Sequence, residues 1–262
     1  MSGSEPISFH PALEPPEADD QATERNSSEE RAPSPDTVHL RKWREDLRHS
    51  LFRAAWDGDA ATVASLLSCG VELHQNSFIG SLRHLAVFEE LVNHGFDMNS
   101  TEFRGEPALR LCANQPEILE WMLQHGADPN VTNDRGVTAL ATAVVIDRPT
   151  EAQLLLDYGA VAEPYLFHRA IKATHRVGDS IFHLLVRAGV DINYEVPYEG
   201  TPLHLATAYA DKERVELLLR LGADPRISVC DEAGEQVTPA EIARWDGKLE
   251  IYELLKAAAC QW

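Results

Sequence analysis

A glycine that recurs at nearly constant spacing constrains the fold of this chain more than any other feature of its sequence. Each copy ends a leucine-rich stretch, as in the segment LLRLGAD at residues 218–224. The copies are separated by 25, 31, 33, 30 and 33 residues, and they are Gly70, Gly95, Gly126, Gly159, Gly189 and Gly222. A motif that returns with a period near 33 predicts a solenoid, in which each repeat packs only on its neighbours.

A second motif lies upstream of these glycines. Residues 200–206 read GTPLHLA, and near matches begin at Gly136 (GVTAL) and at Val237 (VTPAEIA). A threonine at a helix N-terminus can accept hydrogen bonds from free backbone N–H groups, and a proline one step later suits the first turn. The glycine after the second helix can take the left-handed conformation that ends it. The two motifs therefore predict paired helices.

The TPLH-x-A motif followed by LLLRLGAD resembles the ankyrin repeat family, over roughly residues 49–259. The resemblance implies an all-α ankyrin-repeat solenoid of about seven helix-turn-helix repeats with short finger loops. We divide the chain into a disordered acidic tail over residues 1–36, an N-terminal capping helix over 37–48 and the ankyrin repeat domain over 49–262.

The tail is predicted from composition. Residues 1–36 hold six of the 15 prolines and nine acidic residues against two basic ones. Such a segment buries too little apolar surface to offset the entropy of ordering. In the capping helix, Leu40, Trp43 and Leu47 lie at helical spacing, which predicts one face that packs on the first repeat. The neighbouring basic residues form part of an amphipathic helix or of a nuclear import signal: Arg41, Lys42 and Arg44.

Three irregularities interrupt the repeats. The short interval between Gly70 and Gly95 predicts loss of most of one finger and a trimmed first helix. An insertion near residues 174–178 separates the two helices of the fifth repeat, and an extension near 227–236 lengthens the last finger. These are either tolerated loop changes or alterations of the binding face, since insertions in solenoids map to one face.

Charge and motif content bound the function. The formal net charge of -19 disfavours direct nucleic-acid binding and favours a partner protein with a basic or apolar surface, although it can also serve solubility alone. The sequence has no HExxH, GxSxG or phosphate-loop motif and no paired cysteines. We therefore expect no catalytic site, no metal and no cofactor. The repeat pattern places three histidines in structural positions: His94, His125 and His204.

The four cysteines are expected to be free thiols, with at least three of them packed in the stack. The chain opens with no signal-peptide pattern, and no apolar run approaches the roughly 18 residues needed to span a bilayer. We expect a monomer that is cytoplasmic, nuclear or both, with no membrane association.

Similar ankyrin proteins bind through their finger tips and the inner face of their first helices, which implies a set of partner-binding candidates. At the ends of first helices these are Trp56, Asp57, Val145, Ile146, Tyr209, Trp245 and Asp246. On or beside the fingers they are Asp134, Arg135, Val137, Tyr194, Tyr198 and Glu199. Exposed aromatic side chains often anchor interfaces, but Trp56 and Trp245 could instead pack against neighbouring loops.

The resemblance implies a protein–protein interaction module that acts as an intracellular adaptor or regulator. One alternative is a transcriptional coregulator, for example of a fungal metabolite gene cluster. Another is the substrate-recognition adaptor of a ubiquitin ligase, although residues 257–262 leave no room for an F-box or SOCS-box module after the stack.

Overall fold

The computed structural model describes residues 35–73, 75–101, 105–173, 177–230 and 234–261, without the side chains of residues 35–41, 75 and 76. The tail predicted over residues 1–36 lies outside this part of the chain, except for Pro35 and Asp36. Those two residues begin the first helix.

Fourteen α-helices and one β-hairpin make up the described residues. The helices are α1 (Pro35–Asp57), α2 (Ala60–Ser68), α3 (Gln75–Ser81), α4 (Leu85–Asn93), α5 (Ala108–Leu111), α6 (Pro116–Gln124), α7 (Ala139–Val145), α8 (Pro149–Asp157), α9 (Leu166–Lys172), α10 (Asp179–Arg187), α11 (Pro202–Ala208), α12 (Lys212–Arg220), α13 (Pro239–Trp245) and α14 (Leu249–Ala259). The antiparallel hairpin pairs β1 (Val229–Cys230) with β2 (Gln236–Val237).

The helices follow one another in pairs and stack in two layers. The first helices of successive repeats pack together, α5 on α7, α7 on α9, α9 on α11 and α11 on α13. The second helices form a parallel row, with α2 on α4, α4 on α6, α6 on α8, α8 on α10 and α12 on α14. A single cluster of buried apolar side chains extends from Leu51 to Leu255 between the layers. The structure thus confirms the all-α solenoid.

The N-terminal helix is longer than expected. Helix α1 continues for 23 residues, so the predicted capping helix over 37–48 and the first helix of the first repeat form one element. Leu51 is fully buried and Leu47 is half-buried, whereas Trp43 is 59% exposed. The prediction that Trp43 packs on the first repeat is therefore wrong, because contact with the stack begins one turn later.

The short interval before Gly95 reflects the loss of a finger alone. Only residues 69–74 join α2 to α3, whereas residues 94–107, 125–138 and 188–201 form longer fingers. Helix α3 has seven residues, as do α7, α9 and α11, so the expected trimming of this first helix is wrong.

A second connection between repeats is also short, although the glycine spacing does not reveal it. Residues 158–165 join α8 to α9, so the fifth repeat also has a reduced finger. The predicted insertion is present, since residues 173–178 join α9 to α10 where three residues suffice between α7 and α8. The insertion compensates for the missing finger, which is why the glycine interval remains near 30. Residues 174–176 of the insertion lie outside the described part, as do residues 231–233 of the lengthened last finger.

The helix ends follow the sequence motifs. The Thr138 hydroxyl accepts a hydrogen bond from the Ala141 N–H at 3.1 Å. Thr238 and Glu241 form a capping box, in which the Glu241 carboxylate accepts the Thr238 N–H at 2.7 Å. At the other end of a repeat, Gly222 has a φ of 97°, which a residue with a side chain rarely adopts.

An asparagine ladder joins the loops that follow second helices. The side-chain oxygens of Asn99, Asn130 and Asn193 accept backbone N–H groups of the next repeat at 2.8–2.9 Å. Each asparagine stands two residues after the repeat position of aspartate, and its own N–H donates to that aspartate. These bonds fix the spacing between neighbouring repeats.

The insertion of the fifth repeat is held by a buried arginine of the sixth. The Arg214 guanidinium donates from Nη2 to the Val177 carbonyl at 2.6 Å and lies 4.0 Å from the centre of the Phe182 ring. Asp179 lies 3.7 Å from Nη1. Because Arg214 is only 3% exposed, these contacts compensate for removing its charge from water.

Candidate protein-binding surface

The ends of the first helices present exposed aromatic side chains. Trp56 is the penultimate residue of α1, Tyr209 follows α11, and Trp245 ends α13. Their exposed fractions are 44%, 55% and 65%. These positions are equivalent or adjacent in the repeat, so the side chains lie along one edge of the first-helix layer. All three aromatic side chains are thus exposed at the surface, and their role in partner binding stays a prediction.

Trp56 is partly covered by the second repeat. The Arg83 guanidinium lies 4.8 Å from the centre of its ring, and the Phe52 ring centre lies 5.9 Å away. The Trp56 carbonyl accepts a hydrogen bond from His84 Nε2 at 3.0 Å. The adjacent Asp57 forms a long, exposed ion pair with Arg53 at 3.9 Å. Trp56 therefore combines a structural role with an exposed edge.

Trp245 stands in a different environment. In the described part of the chain, no aromatic ring or cation stacks on its indole. Its neighbour Asp246 accepts a hydrogen bond from Lys248 Nζ at 2.7 Å. Lys248 also donates to the carbonyls of Thr207 and Ala208 at 3.0 and 2.9 Å, so it caps the C-terminus of α11. The turn of the seventh repeat is thus anchored to the sixth, and Trp245 is left free.

The equivalent residues of the fourth repeat are less exposed. Val145 and Ile146 are both half-buried, and Ile146 packs against the hydrophobic core. Asp147, which follows them, has a φ of 57°, the left-handed conformation that closes the turn between the helices. This repeat offers a shallow apolar surface without a projecting anchor.

The finger of the fourth repeat holds three predicted partner-binding residues, of which two are exposed and one is packed against the core. Asp134 and Arg135 are exposed at the tip. Val137 instead packs against the core, and its N–H donates to Asn133 Oδ1 at 2.9 Å. Asn133 in turn donates to Glu106 at 3.2 Å.

An ion pair supports this finger from the third repeat. Arg110 bonds to Glu106 through Nε and reaches Thr142 of α7 at 3.2 Å through Nη1. The hydrogen bond from Arg110 holds the pKa of the Glu106 carboxyl below its usual value. The cation is thereby neutralised within the scaffold, so only the two tip residues remain as candidate contacts.

The finger of the sixth repeat carries the most exposed aromatic residue. Tyr198 is 95% exposed and adopts a φ of 65°, whereas Tyr194 is 37% exposed. Glu199 is bonded to Lys172 of α9, which joins this finger to the fifth repeat. The predicted finger residues therefore lie at the surface, at the opposite end of the first helices from Tyr209 and Trp245.

The histidines in the repeat positions are structural. His204 is buried, accepts at Nδ1 from the Thr201 hydroxyl at 2.8 Å and donates from Nε2 to the Val237 carbonyl of the next repeat at 3.1 Å. His168 donates in the same way to the Gly200 carbonyl at 2.8 Å. Burial lowers the pKa of both imidazoles. His94 and His125 bond to carbonyls of their own helices at 2.8 and 2.7 Å, as expected.

Among the exposed apolar side chains that sequence reasoning missed, one lies beside the predicted anchors of the last repeat. Leu249 begins α14 and is 68% exposed. The sixth repeat has Lys212 at the equivalent position, and the contrast between lysine and leucine was the signal that could have identified it. Leu249 follows the same turn as Trp245, so it extends the exposed apolar surface of the last repeat.

The cysteines differ from expectation. Cys112 alone is buried, and burial raises the pKa of its thiol to about 12. Cys69, Cys230 and Cys260 are exposed, so the expectation that at least three thiols are packed is wrong. All four are free. The three exposed cysteines lie near helix ends or in the last hairpin, where the stack does not cover them.

Among the residues that the structure describes, no group of three or more histidine, cysteine, aspartate or glutamate side chains is arranged to hold a metal ion. Nor does that part of the chain contain a helix long and apolar enough to cross a membrane.

Proteins of known sequence share these repeats. The chain is 34% identical over 88 residues to ankyrin repeat and SOCS box protein 11 of Homo sapiens and of Pongo abelii. The match covers 34% of this chain and 25% of those relatives, so it spans about a quarter of their length.

Solved structures share the fold. The ankyrin repeat domain of human ASB11 is 25% identical with a TM-score of 0.56, over 70% of this chain and 82% of that domain. A chain of the complex between the Bdellovibrio bacteriovorus endopeptidase Bd0816 and immunity protein Bd3460 is 21% identical with a TM-score of 0.55. This likeness covers 79% of the present chain and 97% of that chain. The ankyrin repeat domain of Bcl-3, a member of the IkappaB family, is 19% identical with a TM-score of 0.56. This likeness covers 80% of the present chain and 85% of that domain.

Family models agree with the repeat motifs. A model of three ankyrin repeats matches residues 51–166, and a single-repeat model matches residues 199–229. The chain belongs to the ankyrin repeat family, and its repeats form a protein–protein interaction module.

Proposed function

We propose that this protein is an adaptor or regulator that binds a partner protein through the first-helix edge of its sixth and seventh repeats. The observation that carries the proposal is the exposure of Tyr209, Trp245 and Leu249, each more than half exposed. Large apolar side chains at exposed positions of a rigid scaffold are the usual anchors of an interface.

The scaffold around these anchors is already fixed. Lys248 ties the turn of the seventh repeat to the end of α11, and His204 joins the two repeats through the Val237 carbonyl. A partner that docks here orders few groups of the receptor, which lowers the entropic cost of binding.

The proposal is tested by affinity purification and mass spectrometry with the full chain. The variant Tyr209→Ala/Trp245→Ala should lose its main partner while keeping its fold and thermal stability. Tyr158→Ala is the matched control, because Tyr158 is 40% exposed but follows α8 of the second-helix layer. If the double variant retains every partner and Tyr158→Ala loses one, the proposed surface is wrong.

A role as substrate-recognition adaptor of a ubiquitin ligase is the second candidate. The relatives of this chain are named for an ankyrin repeat and a SOCS box, and the likeness extends over 88 residues. Cullin and its associated subunits should then appear in the purification, and they should remain in the Tyr209→Ala/Trp245→Ala variant while the substrate is lost. A purification free of cullin subunits would reject this role.

A transcriptional coregulator remains a third proposal, with a cytoplasmic and nuclear location. Lys42 and Arg44 are exposed on α1, where an import receptor could reach them. Nuclear accumulation should disappear when Arg41, Lys42 and Arg44 are replaced by alanine, as imaging of a fluorescent fusion would show. A wild-type protein confined to the cytoplasm would reject the coregulator role.

A further inference from the structure

The two helix layers carry opposite net charge. The second helices, α2 to α14 in even numbers, contain eleven acidic residues against five basic ones. The first helices, taken as residues 51–57 of α1 and the odd-numbered helices α3 to α13, contain five basic residues against two acidic ones. The helices of the first layer are therefore more basic than the chain as a whole, whose formal charge is -19.

Three of the five basic residues of the first-helix layer are already neutralised. Arg53 pairs with Asp57, Arg110 with Glu106 and Lys172 with Glu199. Arg169 and Arg244 form no ion pair with any carboxylate in the described part of the chain. Arg244 lies on α13, the first helix of the last repeat. Arg169 lies on α9, which packs against another first helix on each side.

The surroundings of Arg169 combine charge with apolar surface. Its guanidinium carbon lies 5.1 Å from the centre of the ring of Tyr165, the residue that precedes α9, and this contact orients the side chain. Helix α9 packs between α7 and α11, and these two helices end at Val145 and Ala208, next to Tyr209. The finger in front of α9 is one of the two short ones, so less of the chain covers this helix.

We propose that Arg169 binds an aspartate or glutamate side chain of the partner protein, whose neighbouring apolar residues pack against Val145 and Tyr209. The inference rests on the protein-binding function proposed above and specifies the chemistry of the partner. Arginine and a carboxylate form charge-assisted hydrogen bonds, and complementary charge also speeds the encounter. The formal charge of the whole chain favours a basic or apolar partner, whereas Arg169 favours an acidic contact within that interface.

A nucleic acid would also supply negative charge, but it fits this surface less well. Phosphate backbones require rows of free cations. Arg169 is instead one half-buried cation on α9, a helix that packs against the helices ending at Val145 and Ala208, and it suits one carboxylate with apolar neighbours. The acidic second-helix layer adds repulsion against a long polyanion.

The test uses the purified full chain and fluorescent peptide probes. One probe alternates glutamate with leucine and tyrosine, a second carries glutamine in place of glutamate, and a third carries lysine. Fluorescence anisotropy should show binding of the glutamate probe that weakens as salt is added. Equal binding of the glutamine probe, no binding of the glutamate probe, or tighter binding of a single-stranded oligonucleotide of equal charge would overturn the inference.

Variants locate the contact. Arg169→Glu should weaken binding of the glutamate probe about tenfold or more, since a charged hydrogen bond is lost and a repulsive charge is added. The lysine probe should bind this variant better than it binds the wild type. Arg220→Glu is the matched control, because Arg220 is an exposed arginine of the second-helix layer and should change binding less than about twofold. Equal losses in the two variants would overturn the inference.

A second variant tests the site without removing Arg169. Glu199→Gln releases Lys172 from its ion pair, and the glutamate probe should bind more tightly as a result. Weaker or unchanged binding would contradict the inference. If the partner captured from cells is lost in Tyr209→Ala/Trp245→Ala but retained in Arg169→Glu, the protein-binding function stands and the acidic contact is rejected.

Discussion

The first and last repeats carry the same tripeptide, Trp-Asp-Gly, at residues 56–58 and 245–247. In both copies the tryptophan lies in the last turn of a first helix and the glycine takes the left-handed conformation, with φ of 83° and 69°. Around Trp56 the second repeat supplies Arg83 over the ring and His84 on the carbonyl. No such cover reaches the Trp245 indole in the described residues.

The same contrast separates the sixth and seventh repeats. His204 of the sixth repeat bonds forward to the Val237 carbonyl, whereas Glu241, at the equivalent position of the seventh, bonds back to its own Thr238. Thr207 is fully buried, whereas its counterpart Arg244 is exposed. A side chain at a given repeat position is structural when the next repeat covers it, and it is available to a partner when nothing does.

The largest expected effect concerns His204 and Glu241. His204→Ala removes a buried bridge to the next repeat together with the cap at Thr201, and should cost about 3 kcal/mol of unfolding free energy. Glu241→Ala removes only part of a cap and should cost about 1 kcal/mol. Chemical denaturation followed by circular dichroism measures both. Equal losses would mean that coverage by the next repeat does not decide the role of this position.

The glycines of the two tripeptides should differ next. A side chain at either position is strained by the positive φ, which costs about 1–2 kcal/mol. At Gly58 a methyl group would also lie 2.9 Å from the His84 ring, whereas nothing lies within 4 Å of one at Gly247. Gly58→Ala should therefore destabilise the protein about 1 kcal/mol more than Gly247→Ala, through the loss of the His84 bond. Thermal unfolding of both variants tests this order.

The tryptophans should show a smaller difference in stability. Trp56→Ala should cost about 2 kcal/mol, through lost apolar burial and the contact with Arg83. Trp245→Ala should cost about 1 kcal/mol or less, because most of its surface faces solvent. The ranking should reverse for partner binding, where Trp245→Ala has the greater effect. A Trp245 variant as unstable as the Trp56 variant would show that Trp245 is also covered.

The pH dependence is expected to be the smallest effect, because the carbonyl bonds of His168 and His204 oppose the lowering of the pKa by burial. The folded protein resists protonation of these imidazoles, whereas the unfolded chain accepts protons below about pH 6.5. Stability is therefore complete above about pH 6.5 and decreases as the pH falls below it. Denaturation at constant ionic strength should show this decrease, and it should be smaller in His204→Ala. An increase in stability upon acidification through this range would contradict the assignment.

The sequence predicted the solenoid because its evidence is local. A threonine cap, a glycine in the left-handed conformation and a leucine-rich second helix each depend on a few neighbouring residues, and they recur. The sequence predicts a trimmed α3, which the structure does not show, because the interval before Gly95 gives only the sum of loop and helix lengths. In the fifth repeat a short finger and an insertion nearly cancel in that sum, so one of them was missed.

The site was harder to predict because exposure depends on the neighbouring repeat. Trp56, Val145 and Trp245 share one repeat position, yet the first is partly covered, the second is half-buried and the third is free. Net charge has a related limit, since it sums over both layers and reports the charge of neither. The pairing of Lys172 with Glu199 and the absence of such a partner at Arg169 appear only once the repeats are stacked.

Photo-cross-linking in cells tests the central claim most directly. A photoreactive phenylalanine analogue is placed at position 209, on the first-helix edge, and separately at position 158, on the second-helix layer. The account predicts a cross-linked protein from position 209 that disappears with Trp245→Ala, and none from position 158. A cross-linked protein from position 158 alone would show that the partner binds the opposite layer.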